Sequence, residues 1–180
     1  IVKLDSSGNF VWAKQLGGSL FDFIAVIKVD GSGNVYSTGG FRGTADFDPS
    51  TSTANLTAVG DADIFVSKLD SSGNFVWAKQ LGGSGYEYTL GLGVDGANSV
   101  YVAGGFAAAG DYDPGAGTAT LTPVGSDDVM VVKLDSSGAY VWAKQFGGSG
   151  SDDAYGLAVD ASGNTYAIGG FNGSVDFDPG

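Results

Sequence analysis

Short apolar runs broken by clusters of Asp, Ser, Gly and Asn recur along the whole chain. Residues 64–69 (Ile-Phe-Val-Ser-Lys-Leu) lead into Asp70-Ser71-Ser72-Gly73-Asn74, and residues 75–81 (Phe-Val-Trp-Ala-Lys-Gln-Leu) follow. Two β-rich runs about so short a polar cluster predict a hairpin. A second hairpin joins 25–29 to 35–39 through Asp30-Gly31-Ser32-Gly33-Asn34, with copies at 90–94 and 100–104 and at 156–159 and 165–169. Alternation is incomplete, since Phe10, Val11, Trp12 and Ala13 are apolar in succession. Such runs belong to strands covered on both faces, as in sheets stacked face to face; a two-layer sandwich would alternate more cleanly. Nothing in the pattern predicts a helix longer than a turn.

The hairpins repeat in a fixed register. Residues 3–19 return letter for letter at 68–84, and again at 133–149 with three changes (Ala139, Tyr140, Phe146), an offset of 65 both times. A second block keeps that register: Asp46-Phe47-Asp48-Pro49, Asp111-Tyr112-Asp113-Pro114 and Asp176-Phe177-Asp178-Pro179. Self-similarity at one period is the mark of a repeat architecture, in which each unit buries its faces against its neighbours. The expected fold is all-β, with four-stranded antiparallel blades of 65 residues forming a β-propeller or a propeller-like superhelical array. The repeats fall at about 3–67, 68–132 and 133–180, the third incomplete, and one long loop spans 40–63.

The phrases Val-Asp-x-Ser-Gly-Asn-x-Tyr-x-x-Gly-Gly-Phe, Asp-Phe-Asp-Pro-Gly and Lys-Leu-Asp-x-x-Gly-x-x-Val-Trp-Ala-Lys-Gln-x-Gly-Gly resemble the bacterial β-propeller repeat family known as SBBP. The resemblance covers essentially the whole chain. It implies four-stranded blades and a setting in large secreted or surface-attached bacterial proteins, and attaches no catalytic residue to the motif. Three periods would take 195 residues, and the missing 15 correspond to 116–130, so the repeats are cut open inside the long loop. Closed propellers need roughly four to eight blades. The expectation is therefore a piece of a longer chain, or copies joined end to end as a ring or an open polymer.

Charge narrows the choice of partners. Twenty acidic residues against eight basic give −12, with no basic stripe, which argues against nucleic acid. No apolar run is long enough to cross a membrane as a helix. Six of the eight cations fall at equivalent places (Lys3, Lys68, Lys133; Lys14, Lys79, Lys144), which suggests structural pairing. There is no Cys, hence no disulfide framework, and an acidic, Cys-free repeat is compatible with an extracellular or cell-surface location.

Candidate chemistry is sparse. The pairs Asp46/Asp48, Asp111/Asp113 and Asp176/Asp178 place two carboxylates on one side of an extended segment, a start toward gripping Ca²⁺. The competing reading makes the first Asp a turn cap, with the Pro fixing the turn and the aromatic buried. Asp5, Asp30, Asp70, Asp95, Asp135 and Asp160 precede Gly-containing turns and are expected to close them through their side chains. Trp12, Trp77 and Trp142 would make a sugar platform if exposed, but recurrence in doubly apolar strands places them between blades. Asn55 and Asn172 begin glycosylation sequons on expected loops. With no His and no Cys there is no imidazole base, thiol nucleophile or usual zinc site, and identical recurring carboxylates do not suit a glycosidase. Glu87, the only Glu, has no obvious counterpart in the other repeats and reads as a solvated charge.

The favoured expectation is a non-enzymatic structural or adhesive module, rigidified by Ca²⁺ if the Asp pairs bind it. Its partners would be copies of itself or further repeats. The competing class is a module holding glycan or protein on rim loops. The two separate by where the divergent stretches lie (20–24, 85–89, 150–154; 50–63 against 115–128): gathered on one face they favour binding, scattered they favour scaffold.

Overall fold

The computed structural model describes residues 1–178, so Pro179 of the third Asp-Phe-Asp-Pro block lies outside the described residues. The described chain is all strand and loop. In chain order it forms β1 (Val2–Leu4), β2 (Phe10–Ala13), β3 (Gly17–Gly18), β4 (Phe23–Val29), β5 (Val35–Phe41), β6 (Thr44–Asp46) and β7 (Asn55–Thr57). Then come β8 (Asp63–Leu69), β9 (Phe75–Gly83), β10 (Glu87–Val94), β11 (Val100–Phe106), β12 (Gly110–Asp111) and β13 (Thr120–Leu121). The last are β14 (Asp128–Leu134), β15 (Tyr140–Gly148), β16 (Asp153–Val159), β17 (Thr165–Gly170) and β18 (Val175–Asp176).

Pairing follows the repeat. One sheet runs β4-β5-β8-β9 and the next β10-β11-β14-β15, every contact antiparallel. The register repeats with the sequence: Val35 opposes Leu69 and Phe41 opposes Asp63, as Val100 opposes Leu134 and Phe106 opposes Asp128. Strand pairs stand at either side, β1 with β2 and β16 with β17.

The sheets pack face to face, as the unbroken apolar runs require. All seven residues of β5 and all seven of β11 are buried. Tyr36, Ile64, Val66, Trp77 and Leu81 of one sheet form a single core with Leu92, Val102, Phe106, Met130 and Val132 of the next. At about 25 cal/mol per Å² of apolar surface, this seam is the main stabilising contact between units.

The long loop differs from expectation. Instead of an open connection, the segment after β5 forms a hairpin, β6 with β7, and β6 pairs with β3, the Gly-Gly end of the preceding unit. The next copy does the same: β12 pairs Gly110 with Gly83 and Asp111 with Gly82, adding β12 and β13 to the outer edge of the sheet before it. β18 meets β15 likewise. Each unit thus extends its predecessor's sheet. Glycines permit it: a β-carbon on Gly83 would lie 2.3 Å from the backbone oxygen of Ala109.

Candidate functional site

The antiparallel order sends every Asp-x-Ser-Gly turn to one end of the sheets. There the Asp side chains close the turns as expected. Asp30 Oδ1 accepts the N–H groups of Ser32 and Asn34 at 2.9 and 3.0 Å, and Oδ2 accepts Asn34 Nδ2 at 2.8 Å. Asp5, Asp70, Asp95, Asp135 and Asp160 accept the same two backbone N–H groups, and Asp5, Asp70 and Asp160 the Asn side-chain bond as well. At Asp95, burial works against the charged form, but the Ser99 and Ala97 N–H groups and the Tyr101 hydroxyl outweigh it and hold the carboxyl below its ordinary value. Lys133 completes this corner, 3.7 Å from Asp95 Oδ2 and 4.8 Å above the Tyr101 ring. The recurrent lysines at positions 68 and 133 therefore serve structure, Lys68 lying over Tyr36.

The tryptophans lie between sheets. Trp77 is buried and stands edge-on to Tyr36 at 6.3 Å, while Trp142 meets Tyr101 at 6.0 Å. Trp12 and Trp142 are half-buried, since less chain covers them. Asn55 and Asn172 both lie at exposed positions, Asn55 in β7 and Asn172 in the connection after β17.

The Asp-Phe-Asp pairs occupy the hairpin turns. Asp46 Oδ1 accepts from Asp48 N and Ala54 N (3.0 and 2.8 Å), and Asp48 Oδ1 from Ser50 N (2.9 Å). Asp111 and Asp113 repeat this with Asp113 N, Ala119 N and Gly115 N, and Asp176 with Asp178 N. The aromatic between them is buried at Phe47 and Tyr112 and 60% exposed at Phe177. A calcium cage takes six to eight oxygens. Among the described residues no three acidic side chains gather, and backbone N–H donors already hold one oxygen of each leading Asp. The donor set fits a turn rather than Ca²⁺.

Glu87 corrects the sequence reading twice. It stands 65 residues from both Asp22 and Asp152, so the position is acidic in every unit, and it is 1% exposed rather than solvated. Neither carboxyl oxygen has a hydrogen-bond partner, and neither does the buried hydroxyl of Tyr112. Burial pushes the Glu87 carboxyl up to about 7, the Gly83 N–H pulling against it and Asp63 adding to it. The 65-residue spacing was the available signal; only side-chain type was compared.

At the opposite end, residues 20–24, 85–89 and 150–154 each carry the chain from the last strand of one sheet to the first of the next. These divergent segments therefore share one rim. The first two carry paired aromatics, Phe21 with Phe23 at 5.8 Å and Tyr86 with Tyr88 at 6.3 Å, and Phe21 is 70% exposed. Tyr88 donates to Asp153 of the next segment. The first divergent hairpin reaches away from that rim at its tip, where Asp48, Pro49 and Ser50 face Lys14 and Gly73, and returns to it at Asp61, whose N–H donates to Gly85 O.

Residues 141–170 match the Beta-propeller repeat family, SBBP. The stretch runs from within β15 through β16 to β17, across the step from one sheet to the next. The chain is also 28% identical over 197 aligned positions to an uncharacterized WD repeat-containing protein of Acanthamoeba polyphaga mimivirus. That match covers 96% of this chain and 14% of the viral protein's length. The resemblance to a propeller-type repeat is thereby borne out.

Proposed function

We propose that this chain, whose residues 141–170 are a β-propeller repeat, is a run of four-stranded 65-residue blades that acts as an interaction scaffold rather than a catalyst. Its first partner is more of the same repeat, from its own chain or a second copy, so that blades continue as a propeller or superhelix.

One observation carries this reading. β1 and β2 occupy the third and fourth strand positions of a blade, and β16 and β17 the first and second. Residues exposed on β16–β17 and beyond match residues buried inside the array: Tyr166 (59%) matches Tyr36 and Tyr101 (0%), and Phe171 (57%) matches Phe41 and Phe106 (0%). Val2 (63%) and Leu4 (55%) at the other side match Val132 and Leu134 (0%). An apolar cleft of 320 Å³ beside β17 is lined by Val131, Trp142, Phe146, Ile168 and Phe177. Open strand edges flanked by apolar surface take up further strands.

The rim of aromatic pairs supplies the second surface, for a protein or glycan partner, in an extracellular or cell-surface setting. Light scattering after size exclusion tests the scaffold reading. Association that rises with concentration and falls on Ile168→Glu supports it. A folded chain that stays monomeric at every concentration overturns it.

A further inference from the structure

We propose that the unit spanning β8 to β12 contains a buried proton-binding site, in which the Glu87 carboxyl holds a proton between the Asp63 carboxylate and the Tyr112 hydroxyl. Loss of that proton loosens the β12–β13 hairpin from β9.

The inference starts from a comparison between units. Asp22 and Asp152 are satisfied by backbone donors: Asp22 by Gly18 N (2.6 Å) and Arg42 N (3.2 Å), Asp152 by Gly148 N (2.8 Å) and Asn172 N (2.9 Å). Glu87 is one methylene longer, and both its oxygens lie without a partner. The aromatic at position 112 is Tyr only here; its counterparts are Phe47 and Phe177. The one unit with the longer acid is thus the one with a hydroxyl on that ring. A phenol hydroxyl and a carboxyl, each buried and without a hydrogen-bond partner, lie within reach of each other's charge in this unit.

Geometry ties the groups together. A β-carbon on Gly82 would lie 2.9 Å from Glu87 Oε2 and 3.0 Å from Asp63 Cγ, so the two carboxyls lie close to one glycine. Gly82 pairs with Asp111, the residue before Tyr112. Asp63 is fully buried and accepts Val59 N (3.0 Å), Gly60 N (3.2 Å) and Gln80 Nε2 (2.5 Å). Three donors already occupy the Asp63 oxygens, which leaves Glu87 as the member of the pair placed to hold a proton. A buried anion on Glu87, toward which only the Gly83 N–H is drawn and to which no full hydrogen bond is made, is strongly disfavoured, and a proton there removes that cost. The titratable groups facing Glu87 are Asp63 from β8 and Tyr112 from beyond β12; Gln80 and Gly82 of β9 are uncharged.

The proton binds the folded state more tightly than the unfolded one. Its stabilisation is complete below the ordinary Glu value of 4.5 and is lost as pH rises to about 7. Carbon-13 NMR of the Glu87 carboxyl in the intact chain reads the site directly. A midpoint near 7 is expected, and one below 5 overturns the proposal. Glu87→Gln mimics the protonated form: its melting temperature should match wild type near pH 4.5 and exceed it increasingly up to about pH 7. A pH-independent difference overturns the proposal, and Glu87→Asp, which restores the pairing of the other units, should remove the pH dependence. Exchange of the Gly110 and Leu121 amides, corrected for intrinsic rates, should quicken above pH 7 in wild type but not in Glu87→Gln. A carboxyl midpoint that moves when calcium chloride is added would assign the site to a cation instead and overturn the proton.

Discussion

Trp77 Nε1 donates a hydrogen bond to the carbonyl oxygen of Ser136, 3.2 Å away across the seam between the sheet of β4-β5-β8-β9 and that of β10-β11-β14-β15. Trp12 reaches Ser71 in the same way at 3.5 Å. Both bonds join the strand that carries the Trp to an Asp-capped turn one repeat further on, with the indole filling the space between. The residue that fills the seam also fixes its register.

Trp77→Ala should cost about 3–5 kcal/mol in denaturant unfolding, because a buried aromatic is replaced by a void and Ser136 loses its donor. Trp142→Ala, at a half-buried position, should cost markedly less. Equal losses would refute the seam as the source of the difference.

Gly104 stands opposite the bulge in β10, where a β-carbon would lie 1.9 Å from the backbone oxygen of Tyr88. Gly104→Ala should therefore destabilise by more than about 3 kcal/mol, since the contact is with backbone rather than a movable side chain. Gly96→Ala, in an open turn, should change the melt little.

The capped turns set the acid limb of stability. Asp95 has its carboxyl held below 3.8 in the folded chain, so its contribution is complete above that value and is lost as pH falls through the folded value. Asp95→Asn should flatten the melting profile below about pH 4 while leaving it parallel to wild type near neutrality. An unchanged acid limb would show that the Ser99 and Tyr101 bonds do not favour the anion.

Asp111 accepts two backbone N–H groups across its turn. Asp111→Ala should cost about 1–2 kcal/mol, and Asp111→Asn, which keeps an acceptor oxygen, less. EGTA should leave the melting temperature unchanged in all three proteins; a drop confined to wild type would establish calcium at these turns.

Strand positions, turn chemistry and the 65-residue period were legible in the sequence because they rest on local physics. Asp30 and its copies close their own loops within four residues, and β-rich runs either side fix the hairpins. The hairpin β12–β13 was not legible: its partner, Gly82-Gly83, lies 27 residues away, and its own run is too short to read as a strand. Glu87 was misread because its burial comes from Tyr112 and Asp63, which other segments bring to it.

The clearest division is between residues 3–19 and 68–84, which are letter-for-letter identical. Sequence alone made both a hairpin about an Asp-capped turn. Yet Leu4 is 55% exposed and Leu69 fully buried, and Phe75 is half-buried where Phe10 is 69% exposed. Hydrophobic burial depends on what lies around a strand: Leu69 sits inside its sheet, paired with Val35 on one side and Phe75 on the other, while no described strand pairs with the open edge of β1. Local backbone preference chose the elements, and contact between units chose which of their residues form a core.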